Sequence, residues 1–271
     1  MNYKYCLVLI LLGILGLEAC QKPTEGCMHP RSSNFNAEAD KEVGCTYYQL
    51  QLSFLHALDN IGTPYTFSMP HLDSNNDSFK IEDFRLLLTN IHLQKSDGTE
   101  AHIIDKITIP LLSGEELSIS DNFYIAQNAG NGANTTDIGG WVTLDTFATL
   151  NFTVGLADSR ISDIDYALMR PLTHPLADTS ESVYDNSNQQ YYAGWANLTA
   201  VNYVDTLVVG WADTMNISLP YPVIALDAAT IPVGIQLTYE NLFDGVSFAN
   251  DDQSTIITKL KNNLRNAFTS Y

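Results

Sequence analysis

The sequence predicts an all-β protein, an antiparallel β-sandwich with a C-terminal amphipathic helix. Three observations carry that expectation. Short runs alternate apolar and polar residues at period two, polar turn clusters separate them, and no strand–helix–strand alternation or nucleotide-binding glycine loop interrupts them. The helix is confined to the last twenty or so residues.

The chain of 271 residues begins with a leader. Met1 to Tyr5 carries one Lys, and Cys6 to Leu17 is almost wholly apolar. That run is too short for a membrane span, which needs about 20 residues, so residues 1–19 read as a signal peptide. Leu17-Glu18-Ala19-Cys20 has Leu at −3 and a small residue at −1, the pattern of a bacterial lipoprotein cleavage site. Cys20 then becomes the lipidated N-terminus, the chain meets a membrane through that lipid, and Cys6 leaves with the leader. A plain secretory signal cut elsewhere, or a short buried helix, is the alternative. The expected location is the outer membrane, facing the periplasm or the cell surface.

Residues 20–45 are polar and rich in turn formers, a tether followed by a small knot. In an oxidising compartment the isolated pair Cys27 and Cys45 most simply forms a disulfide, whereas a thiolate metal site wants more ligands at closer spacing.

From residue 46 to 271 the pattern is that of the sandwich. Tyr48, Leu50, Leu52 and Phe54 fall on one face, with Gln49, Gln51 and Ser53 on the other. Strand-like runs follow at Phe84–Gln94, His102–Ile109, Leu117–Ala126, Phe147–Leu156, Val201–Trp211, Met215–Leu226 and Val233–Glu240. In the fourth of these, Leu150, Phe152 and Val154 alternate with Thr149, Asn151 and Thr153. Clusters such as SDGTE, LSGEE, QNAGNGANTTDIGG and DTSESVYDNSNQQ read as turns. A short helix or turn is expected in ISDIDYALMRPL. At the end, Ile256, Ile257, Leu260, Leu264 and Phe268 make a helical stripe, with Lys259, Lys261 and Arg265 outside it.

Charge excludes one class of partner. Asp and Glu number 31 against 13 Lys and Arg, a formal charge of −18, which repels the phosphates that nucleic-acid binding requires. No H-E-x-x-H, C-x-x-C or G-x-S-x-G is present, and the carboxylates suggest no acid/base pair, so no enzyme is expected. Six histidines remain as candidates. His92 and His102 sit in strands and read as exposed or hydrogen-bonded, and His29 lies inside the cysteine loop. His56, His71 and His174 lie at strand ends or in loops, where ligands can converge. Asp73, Asn75 and Asp77 start like an EF-hand loop but lack its Gly and Glu, so a solvated turn is expected. Trp141, Trp195 and Trp211 read as core or rim residues.

The stretch GCMHPRSSNFNAEADKEVGC resembles a short motif of exported Bacteroidetes proteins, with His29 where an Asp is usual. LSFLHALDN, FKIEDFRLLLTNIHLQKSDGT, FATLNFTVGLADS, THPLADT with YYAGWANL, and the closing NLFDGVSFANDDQSTIITKLKNNLRNAF resemble, in that order, segments of the MbnP-like family. The resemblance covers roughly Tyr47 to Phe268. It implies an exported β-sandwich that handles copper, held in that family by histidines beside an oxidised tryptophan. By position it points to His56 and His174 as metal ligands, with Trp195 as their neighbour. No tryptophan here lies within two residues of a histidine, a departure from a close Trp-x-His pair. The alternative expectation is an interaction or adhesion module that binds a protein or glycan without metal.

Overall fold

Cys27 and Cys45 are joined: in the computed structural model they form a disulfide with Cα atoms 4.8 Å apart. The structure describes residues 22–101, 103–127, 133–141, 145–156, 163–165, 168, 174–178, 180, 183–200, 203, 206–224 and 230–271, main chain only at 223 and 224. The expected leader (residues 1–19), Cys20, His102 and most of ISDIDYALMRPL lie outside these residues.

The chain divides into two compact units, Met1–Tyr47 and Tyr48–Tyr271. In the first, β1 (Glu25–Gly26) and β2 (Lys41–Glu42) make a short parallel pair. Asn34 staples the loop, donating to the Gly44 carbonyl at 2.7 Å and accepting the Thr46 N–H at 2.9 Å.

The second unit comprises β3 (Tyr48–Ala57), β4 (His71–Leu72), β5 (Ser78–Gln94), β6 (Lys106–Pro110), β7 (Glu116–Ser120), β8 (Tyr124–Gln127), β9 (Asn134–Trp141) and β10 (Thr146–Val154). It continues with β11 (Tyr184–Asp185), β12 (Gln190–Tyr191), β13 (Gly194–Ala200), β14 (Leu207–Trp211), β15 (Met215–Ile224) and β16 (Thr230–Thr238). Helices α1 (Tyr239–Leu242) and α2 (Gln253–Ala267) precede the last strand, β17 (Phe268–Ser270). The expected all-β sandwich is observed. One seven-stranded sheet has the path β14-β13-β5-β10-β15, with β4 and β8 also on β5; the other runs β17-β16-β3-β9.

The alternation in β3 explains its place. Tyr48, Leu50, Leu52 and Phe54 are buried and the intervening residues are half-exposed, so one face enters the core. Beside it lies β16 in parallel register, Val233 against Leu52 and Leu237 against His56. Among the described strands of this unit, this parallel pair is the exception to antiparallel pairing, and it needs nearly the whole unit as its crossover. The core between the sheets gathers Leu50, Phe54, Phe84, Leu150, Phe152 and Trp141, among others. A second hydrophobic cluster forms around Leu87, Ile109, Leu176 and Tyr191, under the β6–β7 and β11–β12 hairpins.

Several elements differ from the sequence expectation. Leu117–Ala126 is two strands: β7 pairs with β6, and β8 pairs with β5, with a break at Asp121–Phe123. The glycine- and asparagine-rich segment contains β9, an edge strand made by pairing with β3, Gln51 Nε2 donating to Asp137 at 3.2 Å. Segment YYAGWANL contributes β13, an interior strand between β14 and β5. Close approach explains Gly194 there, since a Cβ would lie 2.1 Å from the Trp211 ring. The helix stops early. Asp252 caps α2 by accepting the Thr255 N–H at 2.7 Å, and Ile256, Leu260 and Leu264 are buried along one face. Phe268 leaves the helical stripe and enters β17, paired with Leu237, its ring 5.1 Å from Phe152.

Candidate functional site

The alternation of β3 decides the fate of His56. The strand runs on past Phe54, so His56 is the next inward residue and is buried, 3% exposed. Its ring lies among Phe54 (5.0 Å), Phe67 (5.3 Å), Phe84 (6.2 Å) and Tyr239 (5.9 Å). Nδ1 shares a hydrogen bond of 2.9 Å with the Tyr239 hydroxyl, and Nε2 has no hydrogen-bond partner. Burial lowers the imidazole pKa from 6.5 to about 4, with the Gln127 main chain a weaker opposing influence. Burial also pushes the Tyr239 phenol well above its ordinary range, so both rings are neutral at pH 7.

His174 is held differently. It caps the short 3-10 turn Pro175–Ala177, Nδ1 accepting the Leu176 N–H at 3.1 Å. With Nδ1 an acceptor, the proton of the neutral ring sits on Nε2, which donates to Asp121 at 3.1 Å. Its ring neighbour is Phe123, in the second cluster. Trp195 is buried on β13, opposite Arg85 of β5 and Gly210 of β14.

His56 and His174 have different surroundings, and Trp195 lies opposite Arg85, which pairs with Asp178 at the end of the His174 turn at 3.6 Å. The ring neighbours of His56 belong to the main core and that of His174 to the second cluster. Both nitrogens of His174 are engaged. Among the described residues no three His, Cys, Asp or Glu side chains are grouped to hold a metal ion.

The other candidates have structural roles. His71 hydrogen-bonds the Thr66 carbonyl at 3.0 Å and stacks on Tyr65 at 4.2 Å. His29 meets Tyr47 edge-on at 5.6 Å. The Asp73 carboxylate accepts the N–H groups of Asn75, Asp77 and Phe248, at 2.8, 2.9 and 2.9 Å, so it ties a turn to the loop before α2.

A different place has the character of a binding site. On the outer face of the seven-stranded sheet a groove of about 390 Å³ crosses β5, β10 and β15. The register sets its lining: His92, Asn151 and Ser218 lie side by side in one row, and Thr153 beside Asn216 in the next. Asn151 Nδ2 donates to Gln94 at 3.3 Å and to Thr149 at 3.4 Å. Thr153 donates to the Asn216 carbonyl at 2.8 Å, which leaves the Asn216 NH2. Asn90 and Glu100 complete the rim. The sequence showed the polar side of β10 in Thr149, Asn151 and Thr153, but not that β5 and β15 continue it.

No family model matches this sequence, and no curated protein matches it. Among solved structures, MbnP from Methylosinus trichosporium is similar, with 13% sequence identity and a TM-score of 0.43. The match covers 78% of this chain and 87% of that one. A likeness so distant carries no argument about function.

Proposed function

We propose that this chain is an exported, lipid-anchored, non-enzymatic binding protein of the outer membrane, a distant MbnP-like sandwich that takes a neutral glycan in its polar groove without copper at His56 and His174. The observation that carries the binding site is the in-register row of amide and hydroxyl groups across three strands. Such groups both donate and accept, as sugar hydroxyls require, and the groove lining includes no Lys or Arg to favour an anion. Its volume of about 390 Å³ lies within the usual range for small ligands, roughly 300–1,000 Å³. Export is supported by the leader pattern ending at Cys20, by the Cys27–Cys45 disulfide, and by the order of family-like segments.

Glycan-array screening of the full chain, followed by calorimetry on the best ligand, is the test. Replacing Asn151 and Asn216 by alanine is expected to weaken binding at least about fivefold, from roughly 1–3 kcal/mol per unsatisfied polar contact. Absence of any glycan ligand, or unchanged affinity in the double variant, would overturn the groove. Stoichiometric copper that is lost in His174→Ala would overturn the copper-free reading. An unmodified N-terminus on mass spectrometry would remove the lipid anchor.

A further inference from the structure

His92 is turned outward by a fault in its own strand. Before Asn90, the odd residues Leu87 and Thr89 face outward from β5; after it, the even residues His92 and Gln94 do. The switch is a β-bulge opposite Asn151–Thr153, with Asn90 in the left-handed region at φ 53°. Without it, Ile91 would face the groove and His92 the core.

The bulge also fixes the proton on the ring. His92 Nδ1 lies 2.7 Å from the Asn90 main-chain carbonyl, which can only accept, so Nδ1 donates. In the neutral ring Nε2 then presents its lone pair, and 3.4 Å away stands Oε1 of Glu100. Glu100 is held there by a tight hairpin, Lys95 N–H bonding to Thr99 O and Ala101 N–H to Leu93 O. With the ring neutral two acceptors face each other, and a cation held between them satisfies both; with the ring protonated the same two atoms form an ion pair. The 3.4 Å separation is longer than a good N–H···O bond, 2.7–3.2 Å. A metal ion fits: two ligands at about 2.0–2.2 Å from one ion in tetrahedral geometry stand roughly 3.4 Å apart.

We infer that His92 Nε2 and Glu100 Oε1 form an open binding site for a first-row divalent transition ion at the rim of the groove. The histidine is nine-tenths buried and positioned by the Asn90 carbonyl, the outer-shell contact that metal-bound histidines usually have. With two protein ligands, the remaining positions go to water or to hydroxyls of whatever the groove holds. The chain's charge of −18 raises the local concentration of cations around it. This inference stands apart from the glycan reading and from the His56 and His174 positions.

Zinc(II) is the probe, titrated calorimetrically into the full chain, with His92→Ala, Glu100→Gln and His174→Ala beside it. One ion per chain is expected. His92→Ala and Glu100→Gln should each weaken it by at least about tenfold, since loss of an outer-shell partner alone costs 10–100-fold. His174→Ala should bind as the parent does. Imidazole 15N spectra of the parent chain give a second reading that needs no variant: the Nε2 signal of His92 should move on zinc addition. Zinc bound equally by the His92 and Glu100 variants, no zinc bound at all, or a His92 signal that stays in place would each overturn the site. Asn216→Ala, which should weaken glycan and leave zinc, separates failure of this site from failure of the groove.

Discussion

Lowering the pH from 7 to 4 is expected to remove about 3 kcal/mol from the stability of the sandwich through His56 alone. The folded imidazole has a pKa of about 4 and the unfolded one 6.5, and each unit of difference is worth about 1.4 kcal/mol. Between those values the unfolded chain holds a proton that the folded chain refuses, so stability rises with pH across that window. Below about 4 both forms are protonated and this group costs nothing further. Carboxylates act lower. Asp59 is held below 3.8 by the Thr63 hydroxyl and N–H, and Asp252 by the Thr255 N–H, so their stabilisation is lost only below the His56 window. Denaturant unfolding at pH 7, 5.5 and 4.5 would show the slope. A double variant, His56→Phe with Tyr239→Phe, removes both ends of the His56–Tyr239 hydrogen bond, so it should fold and lose the slope. A slope that survives in the double variant would falsify the assignment to His56.

The same residue shows what the sequence made legible. Extending the period-two pattern of Tyr48, Leu50, Leu52 and Phe54 by one step places His56 inside, and it is inside. His174 also had a local signal, because the proline after it is a favoured first residue of a helical turn, and it caps that turn. The outward face of His92 had no such signal. It depends on a bulge created by pairing β5 with β10, residues nearly sixty positions apart in the chain. Likewise β9 has turn composition and is a strand because β3 lies beside it. Period-two alternation is equally compatible with parallel and antiparallel neighbours, so the β3–β16 pairing was beyond its reach.

Replacing Cys27 and Cys45 by serine is expected to unfold the described part of the first unit, residues 22–47, and to leave the unfolding midpoint of the sandwich unchanged. The reason is the near absence of a core in that unit. Cys27 is its only buried hydrophobic residue among those described, while Met28, Phe35 and Val43 are each 44% exposed. Its β pairing is two residues long, and the Lys41–Glu25 ion pair is exposed on both sides, which makes it worth little. What remains is the disulfide, the Asn34 staple and a set of turn hydrogen bonds such as Ser33 N–H to Thr46 O, Asn36 N–H to Cys27 O and Val43 N–H to Gly26 O. Across a separation of 18 residues the chain-entropy model assigns the cross-link about 3 kcal/mol. A hydrogen bond contributes about 1 kcal/mol net, so the two Asn34 bonds cannot replace it against the ordering cost of each residue fixed. Amide hydrogen exchange reads the outcome directly. Protection of the Val43 and Thr46 N–H groups, bonded to Gly26 and Asn34 in the intact unit, should vanish in the double serine variant. Persistence of that protection would mean that the backbone network holds the loop without its cross-link. Loss of the sandwich midpoint along with it would mean that the two units are not independent in stability.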